Sequence, residues 1–134
     1  MTAVAYLDTS ALAKLVRVEA ETDALRDWLR GANAPDVVAS SAITTVELIR
    51  AARRSGADAA PVALRVLAGL STVAVSPSVL GRAADLPPPA LRSLDAIHLA
   101  TAMEIGSSLS AIVAYDVRLL DAARELGLPV VSPC

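Results

Sequence analysis

The residues Ala3-Val4-Ala5-Tyr6-Leu7 run apolar without alternation and stop at a carboxylate, Asp8. An alternating strand can leave one face in water. A continuous apolar run needs cover on both faces, as strands of a parallel sheet between helices have. Thr9 and Ser10 follow, and then a helical pattern begins. An acid in that position falls at the C-terminal edge of the sheet, where open α/β folds gather their chemistry.

The rest of the chain repeats the alternation. Leu12, Leu15 and Val16 recur at helical spacing over 10–17. A second helix is predicted over 21–30, with Ala24, Leu25, Trp28 and Leu29 inward and Gly31 as a C′ glycine. Strands are predicted at 36–40, 72–75, 111–115 and 129–131, and helices at 42–55, 58–70, 77–84, 93–103 and from Asp116 to about Leu126. Pro87-Pro88-Pro89 ends the 77–84 helix. Strand–helix alternation implies a three-layer α/β/α fold with a central parallel sheet of four to five strands. With 134 residues and no internal repeat, the expectation is a single domain over 1–134.

Composition restricts the core. Phe is absent, and Tyr6, Trp28 and Tyr115 are the only aromatics, so Ala, Leu, Val and Ile must fill the interior. A net charge of −2 gives no general attraction to nucleic acid, so any such binding rests on local patches. Cys134 is the only cysteine, which excludes an internal disulfide and fits a reducing cytoplasm. No basic leader precedes the first apolar run, which Asp8 interrupts, so neither a signal peptide nor a membrane span is expected.

Asp8 and Asp116 share a context of apolar strand, nearby aromatic, acid, helix. Each suits an N-cap. If their strands are neighbours, the two carboxylates approach and repel unless a cation intervenes. Asp95 stands one turn into a helix that is apolar nearly all round, flanked by Leu94, Ala96 and Ile97. A buried acid there needs a partner or a metal; the alternative is a first-turn acid favoured by the helix dipole with Ser93 as cap. Glu47 fits either a wet helix face paired with Arg50 or a fourth ligand. His98 is read as a partly buried polar residue, since a lone histidine does not make a zinc site. Thr9 and Ser10 suit capping or contact with a ligand. Asp121, Glu104, Glu125 and the acids at 19–27 are read as solvated faces. Arg50, Arg53 and Arg54 suit phosphate contact, a solvated face or a dimer contact equally. Four carboxylates without His or Cys partners make a hard oxygen site suited to Mg²⁺ or Mn²⁺, and the chemistry that fits is metal-assisted attack of water on a phosphodiester.

Tyr6-Leu7-Asp8-Thr9-Ser10, Glu47 on a helix, the segment Ser93-Leu94-Asp95-Ala96-Ile97-His98-Leu99-Ala100-Thr101-Ala102, Tyr115-Asp116 and Gly127-Leu128-Pro129-Val130 together resemble the PIN-domain family, and within it the VapC-type toxins. The resemblance runs end to end. It implies a Mg²⁺- or Mn²⁺-dependent endoribonuclease with Asp8, Glu47, Asp95 and Asp116 as the acidic site. It further implies an RNA substrate, a cognate antitoxin laid over the site, and a homodimer, for which the helices at 10–17 and 42–55 are candidate interface elements.

Other readings stay open on the residues alone. A non-toxin PIN nuclease and an inactive PIN-like binding module share the same motifs. An aspartyl phosphatase would want a second Asp at position 10, which is Ser10, and a receiver domain a late Lys, whereas the sole lysine is Lys14.

Overall fold

The computed structural model describes residues 2–134. Among them, strands β1 (Val4–Leu7), β2 (Val37–Ser41), β3 (Ser71–Val73), β4 (Leu109–Val113) and β5 (Val130–Val131) form one sheet in the order β3-β2-β1-β4-β5. Every pairing is parallel. Helices α1 (Thr9–Val16), α2 (Thr22–Arg30), α3 (Ile43–Ser55), α4 (Ala59–Ala68), α5 (Pro77–Asp85), α6 (Ser93–Glu104) and α7 (Val117–Glu125) supply the crossovers.

Alternate residues of the central strands enter opposite cores. Ala5, Leu7, Ala111 and Val113 pack with Leu12, Leu25, Leu48 and Ala63 on one side. Tyr6 and Ile112 pack with Leu99, Leu119 and Leu120 on the other. The sheet is therefore covered on both faces, as the unbroken apolarity of 3–7 requires. Nearly all of this interior is aliphatic; Tyr6 is the one aromatic among its fully buried large side chains.

The strand order reverses direction at β1 and β4. β2 and β3 build outward on one side of β1, while β4 and β5 build outward on the other. A crevice opens at such a point, at the carboxyl ends of the two strands. Tyr6 pairs with Ile112 and Leu7 with Val113, and the Asp8 N–H donates to the Val113 carbonyl at 3.2 Å. Asp8 is thereby fixed at the lip of that crevice.

Most boundaries move by only one or two residues from the sequence expectation, but four details differ. β4 begins at Leu109, because its ladder with β1 starts there, and Ala114 and Tyr115 lie beyond its end. Gly31 is extended (φ −76°, ψ −171°) and is not a left-handed C′ residue; Gly127 takes that conformation after α7 (φ +75°). Ser93 is the first residue of α6 rather than its cap, and Arg92 holds the cap position with extended backbone. Glu19 and Glu21 are not simply solvated: both pair with Lys14, at 3.0 and 2.8 Å. No described helix is long and apolar enough to cross a membrane.

Candidate functional site

Asp8 ends β1 and caps α1. Its Oδ1 accepts from the Ala11 N–H at 3.0 Å and the Ser10 hydroxyl at 2.6 Å. Ser10 in turn accepts from the Tyr115 N–H at 3.0 Å, tying the β1 exit to the β4 exit. Asp8 is only 4 % exposed. Burial pushes its pKa above the ordinary aspartate range, and the bonds from Ser10 and Ala11 do not cancel that push.

Asp116 plays the corresponding part after β4. Its Oδ1 caps α7 through the Arg118 N–H at 2.9 Å and the Leu119 N–H at 3.4 Å. Capping and a second role are thus compatible, because a cap occupies one oxygen of each acid. Asp95 comes from the first turn of α6 and is buried. Its partner is Arg92, whose Nε lies 3.1 Å from Asp95 Oδ2 and whose Nη2 lies 2.9 Å from Asp116 Oδ2.

Glu47 projects from α3 and makes no pair with Arg50 among the described residues; its Oε1 is held from the other side. The Thr9 hydroxyl donates to it at 2.8 Å, and His98 Nε2 lies 2.7 Å away. His98 Nδ1 meets the Tyr6 hydroxyl at 2.6 Å in the core. A ring proton on Nε2 satisfies all three groups, with Tyr6 donating to Nδ1 and Nε2 donating to Glu47. Burial works to raise the Glu47 pKa, but the bonds from His98 and Thr9 outweigh it, and the carboxyl sits below its ordinary value. Asp8 and Glu47 are therefore pushed in opposite directions within one cleft.

All four acids, with Thr9, Ser10, Arg92, Leu94 and His98, line a hollow of about 270 Å³. Beside it, sharing Thr9, Glu47 and Leu94, runs a groove lined also by Ile43, Val46, Arg50 and Arg54. Arg50 and Arg54 thus flank the acidic cleft, whereas Arg53 does not line that groove. Two participants did not stand out in the sequence. Arg92 carries an i,i+3 spacing to Asp95 that is visible there, but its bridge to Asp116 is tertiary. Tyr6 reads as a plain strand residue until its hydroxyl is seen on His98.

A PIN-domain family model matches residues 5–125. The chain belongs to the PIN-domain family. It is 49 % identical over 130 residues to Ribonuclease VapC35 of Mycobacterium tuberculosis, covering 96 % of each chain. Among solved structures, a toxin–antitoxin complex from Klebsiella pneumoniae superposes with a TM-score of 0.71 at 26 % identity, over 97 % of this chain and 98 % of that one. The sarcin-ricin loop cleaving toxin VapC20 of M. tuberculosis shares the PIN fold, with a TM-score of 0.73 at 19 % identity, over 96 % of this chain and 99 % of that one. In this PIN domain the cleft offers carboxylate and hydroxyl oxygens, the chemistry that Mg²⁺ and Mn²⁺ prefer, while both ring nitrogens of His98 are engaged by Tyr6 and Glu47. As placed, no three His, Cys, Asp or Glu side chains among the described residues converge on one point; the Arg92 guanidinium stands between Asp95 and Asp116.

Proposed function

We propose that this single PIN domain, residues 1–134, is a metal-dependent endoribonuclease and the toxin of a toxin–antitoxin pair. The observation that carries the reading is the delivery of four carboxylates, from two strand ends and two helices, into one cleft at the reversal of the sheet. Near-full-length identity to a ribonuclease of the VapC type supports the reaction, and the likeness to a toxin–antitoxin complex supports the biological role.

Asp8, Asp95, Asp116 and Glu47 would hold Mg²⁺ or Mn²⁺. Bound there, the ion supplies Lewis acidity toward the phosphodiester and a nucleophilic water at neutral pH. The chain's own residues position the reactants. Ser10 holds Asp8 by one oxygen and leaves the other to the cleft. Thr9 and His98 hold Glu47 in the same way. Arg50 and Arg54 attract the RNA backbone along the neighbouring groove. With so few aromatics to stack on bases, target choice rests on backbone shape and arginine contacts.

The partners follow from the same reading. A cognate antitoxin covers the acidic cleft in the cytoplasm. A homodimer forms on the α1 and α3 faces, where Val46 is 59 % exposed and Ala13, Leu15 and Val16 are only partly buried. The deciding experiment is cleavage of total RNA by the wild type and Asp8→Asn, with Mg²⁺ or with EDTA, alongside growth on induction. Metal-dependent cleavage and growth arrest, both lost in the variant, are expected. Undiminished cleavage by pure Asp8→Asn would overturn the assignment, and cleavage without growth arrest would point to an RNA-processing nuclease instead.

A further inference from the structure

We propose that Arg92 is a displaceable counter-cation: its guanidinium holds Asp95 and Asp116 until a divalent ion takes them, then transfers to a phosphate of the RNA strand. The inference rests on the nuclease reading above and adds a residue to it.

The contacts are specific. Arg92 reaches Asp95 Oδ2 through Nε and Asp116 Oδ2 through Nη2, at 3.1 and 2.9 Å. One acid comes from α6 and the other from the turn after β4, so the guanidinium spans two elements. A divalent ion on these same two oxygens would stand within a few ångströms of the guanidinium, and like charges that close exclude one another. Binding of the two cations is therefore competitive.

The bridge is not required to keep either acid in place. Asp116 retains its α7 cap through Oδ1, an oxygen that Arg92 does not use. Asp95 is buried in the first turn of α6. The Arg92 side chain itself is 57 % exposed. The Asp95 end is only 13 % exposed, so the guanidinium neutralises a buried acid that needs some cation, and its own exposure gives it room to swing away once another cation does so.

A second hollow gives it somewhere to go. Arg92 and Asp95 also line a cavity of about 430 Å³ with Leu91, Arg118, Asp121 and Glu125, and Asp121 is already paired with Arg124 at 3.4 Å. Arg118 is exposed and makes no ion pair among the described residues. Arg92 and Arg118 together offer two guanidinium forks to a backbone phosphate leaving the acidic cleft, by a route separate from Arg50 and Arg54.

Calorimetric titration of Mn²⁺ into wild type, Arg92→Gln and Arg92→Lys reads the competition directly, without turnover. Arg92→Gln is expected to bind Mn²⁺ about three- to tenfold tighter, the range set by two partly exposed ion pairs. Arg92→Lys keeps the positive charge and is expected to stay near the wild-type affinity. With saturating metal and a short RNA, Arg92→Gln is expected to raise KM while kcat changes little. The slope of log Kd against log salt should fall by about 0.7, the share of one phosphate contact on a single strand. Unchanged or weaker Mn²⁺ binding by folded Arg92→Gln would overturn the competition. Tighter Mn²⁺ binding with unaltered KM and salt slope would overturn the transfer to phosphate. A wild type that binds no Mn²⁺ and cleaves no RNA would instead remove the nuclease reading on which the proposal stands.

Discussion

His98 Nε2 lies 2.7 Å from Glu47 Oε1, and this contact joins the only acid delivered by α3 to the helix that delivers Asp95. The ring is oriented from behind by the Tyr6 hydroxyl at 2.6 Å. Burial raises the Tyr6 pKa, so the hydroxyl keeps its proton and donates it to Nδ1. A buried tyrosine, a buried histidine and a half-buried glutamate thus form one chain of hydrogen bonds from the core to the cleft.

Tyr6→Phe removes the far end of that chain while preserving the ring that fills the core. The expected loss in stability is about 1–2 kcal/mol, from a buried histidine nitrogen left without its donor. Cleavage should fall by less than the about 10- to 100-fold usual for losing a direct partner of a metal ligand, because Tyr6 acts on Glu47 only through His98. Urea unfolding and initial-rate assays at saturating Mg²⁺ check the two effects separately.

Asp8→Asn should stabilise the metal-free protein while abolishing cleavage. The folded-state pKa of Asp8 is raised above its unfolded value of about 4. Its stability contribution is therefore full below about pH 4 and is lost as pH rises through the raised value. At pH 7 the ionised group is a cost that Asn does not carry. Melting curves in EDTA from pH 4 to pH 8 should show the variant above the wild type at the upper end and converging with it at the lower.

Divalent metal should reverse that difference. Mn²⁺ at about 100 times its dissociation constant adds ~2.7 kcal/mol to a protein that binds it only when folded. The wild type should show the corresponding rise in Tm, and Asp8→Asn and Asp116→Asn should show little of it. An equal rise in all three proteins would place the ion elsewhere.

Leu99 is fully buried under the sheet on the helix that carries Asp95 and His98. Leu99→Ala is expected to cost about 2–5 kcal/mol, from lost burial and the cavity left behind. The midpoint of urea unfolding should move accordingly, with the slope unchanged if only packing has been lost.

Val46→Asp tests the proposed dimer. Val46 is exposed beside Arg50 and contributes nothing to the interior. A charge there should leave the stability of the monomer within about 0.5 kcal/mol, as surface changes do, and convert a dimer to a monomer in sedimentation equilibrium. A wild type that sediments as a monomer at micromolar concentration would remove the dimer.

The sequence by itself determined the layers. An unbroken apolar run at 3–7 cannot face water on either side, and its recurrence between helical stretches leaves a parallel sheet covered twice. It also marked Asp8, Asp95 and Asp116, because an acid at the end of an apolar strand or inside an apolar helix contradicts its surroundings. Glu47 was less legible, since a glutamate on an amphipathic helix has an ordinary place in water. Its tie to Thr9 and His98 spans 38 and 51 residues, and only packing brings them together. The same holds for Arg92 and Asp116, 24 residues apart. Local pattern reads what a residue must avoid; which partner it meets across the cleft depends on strand order and register. Those were set when β4 paired beside β1, and that pairing brought the exits carrying Asp8 and Asp116 to one mouth.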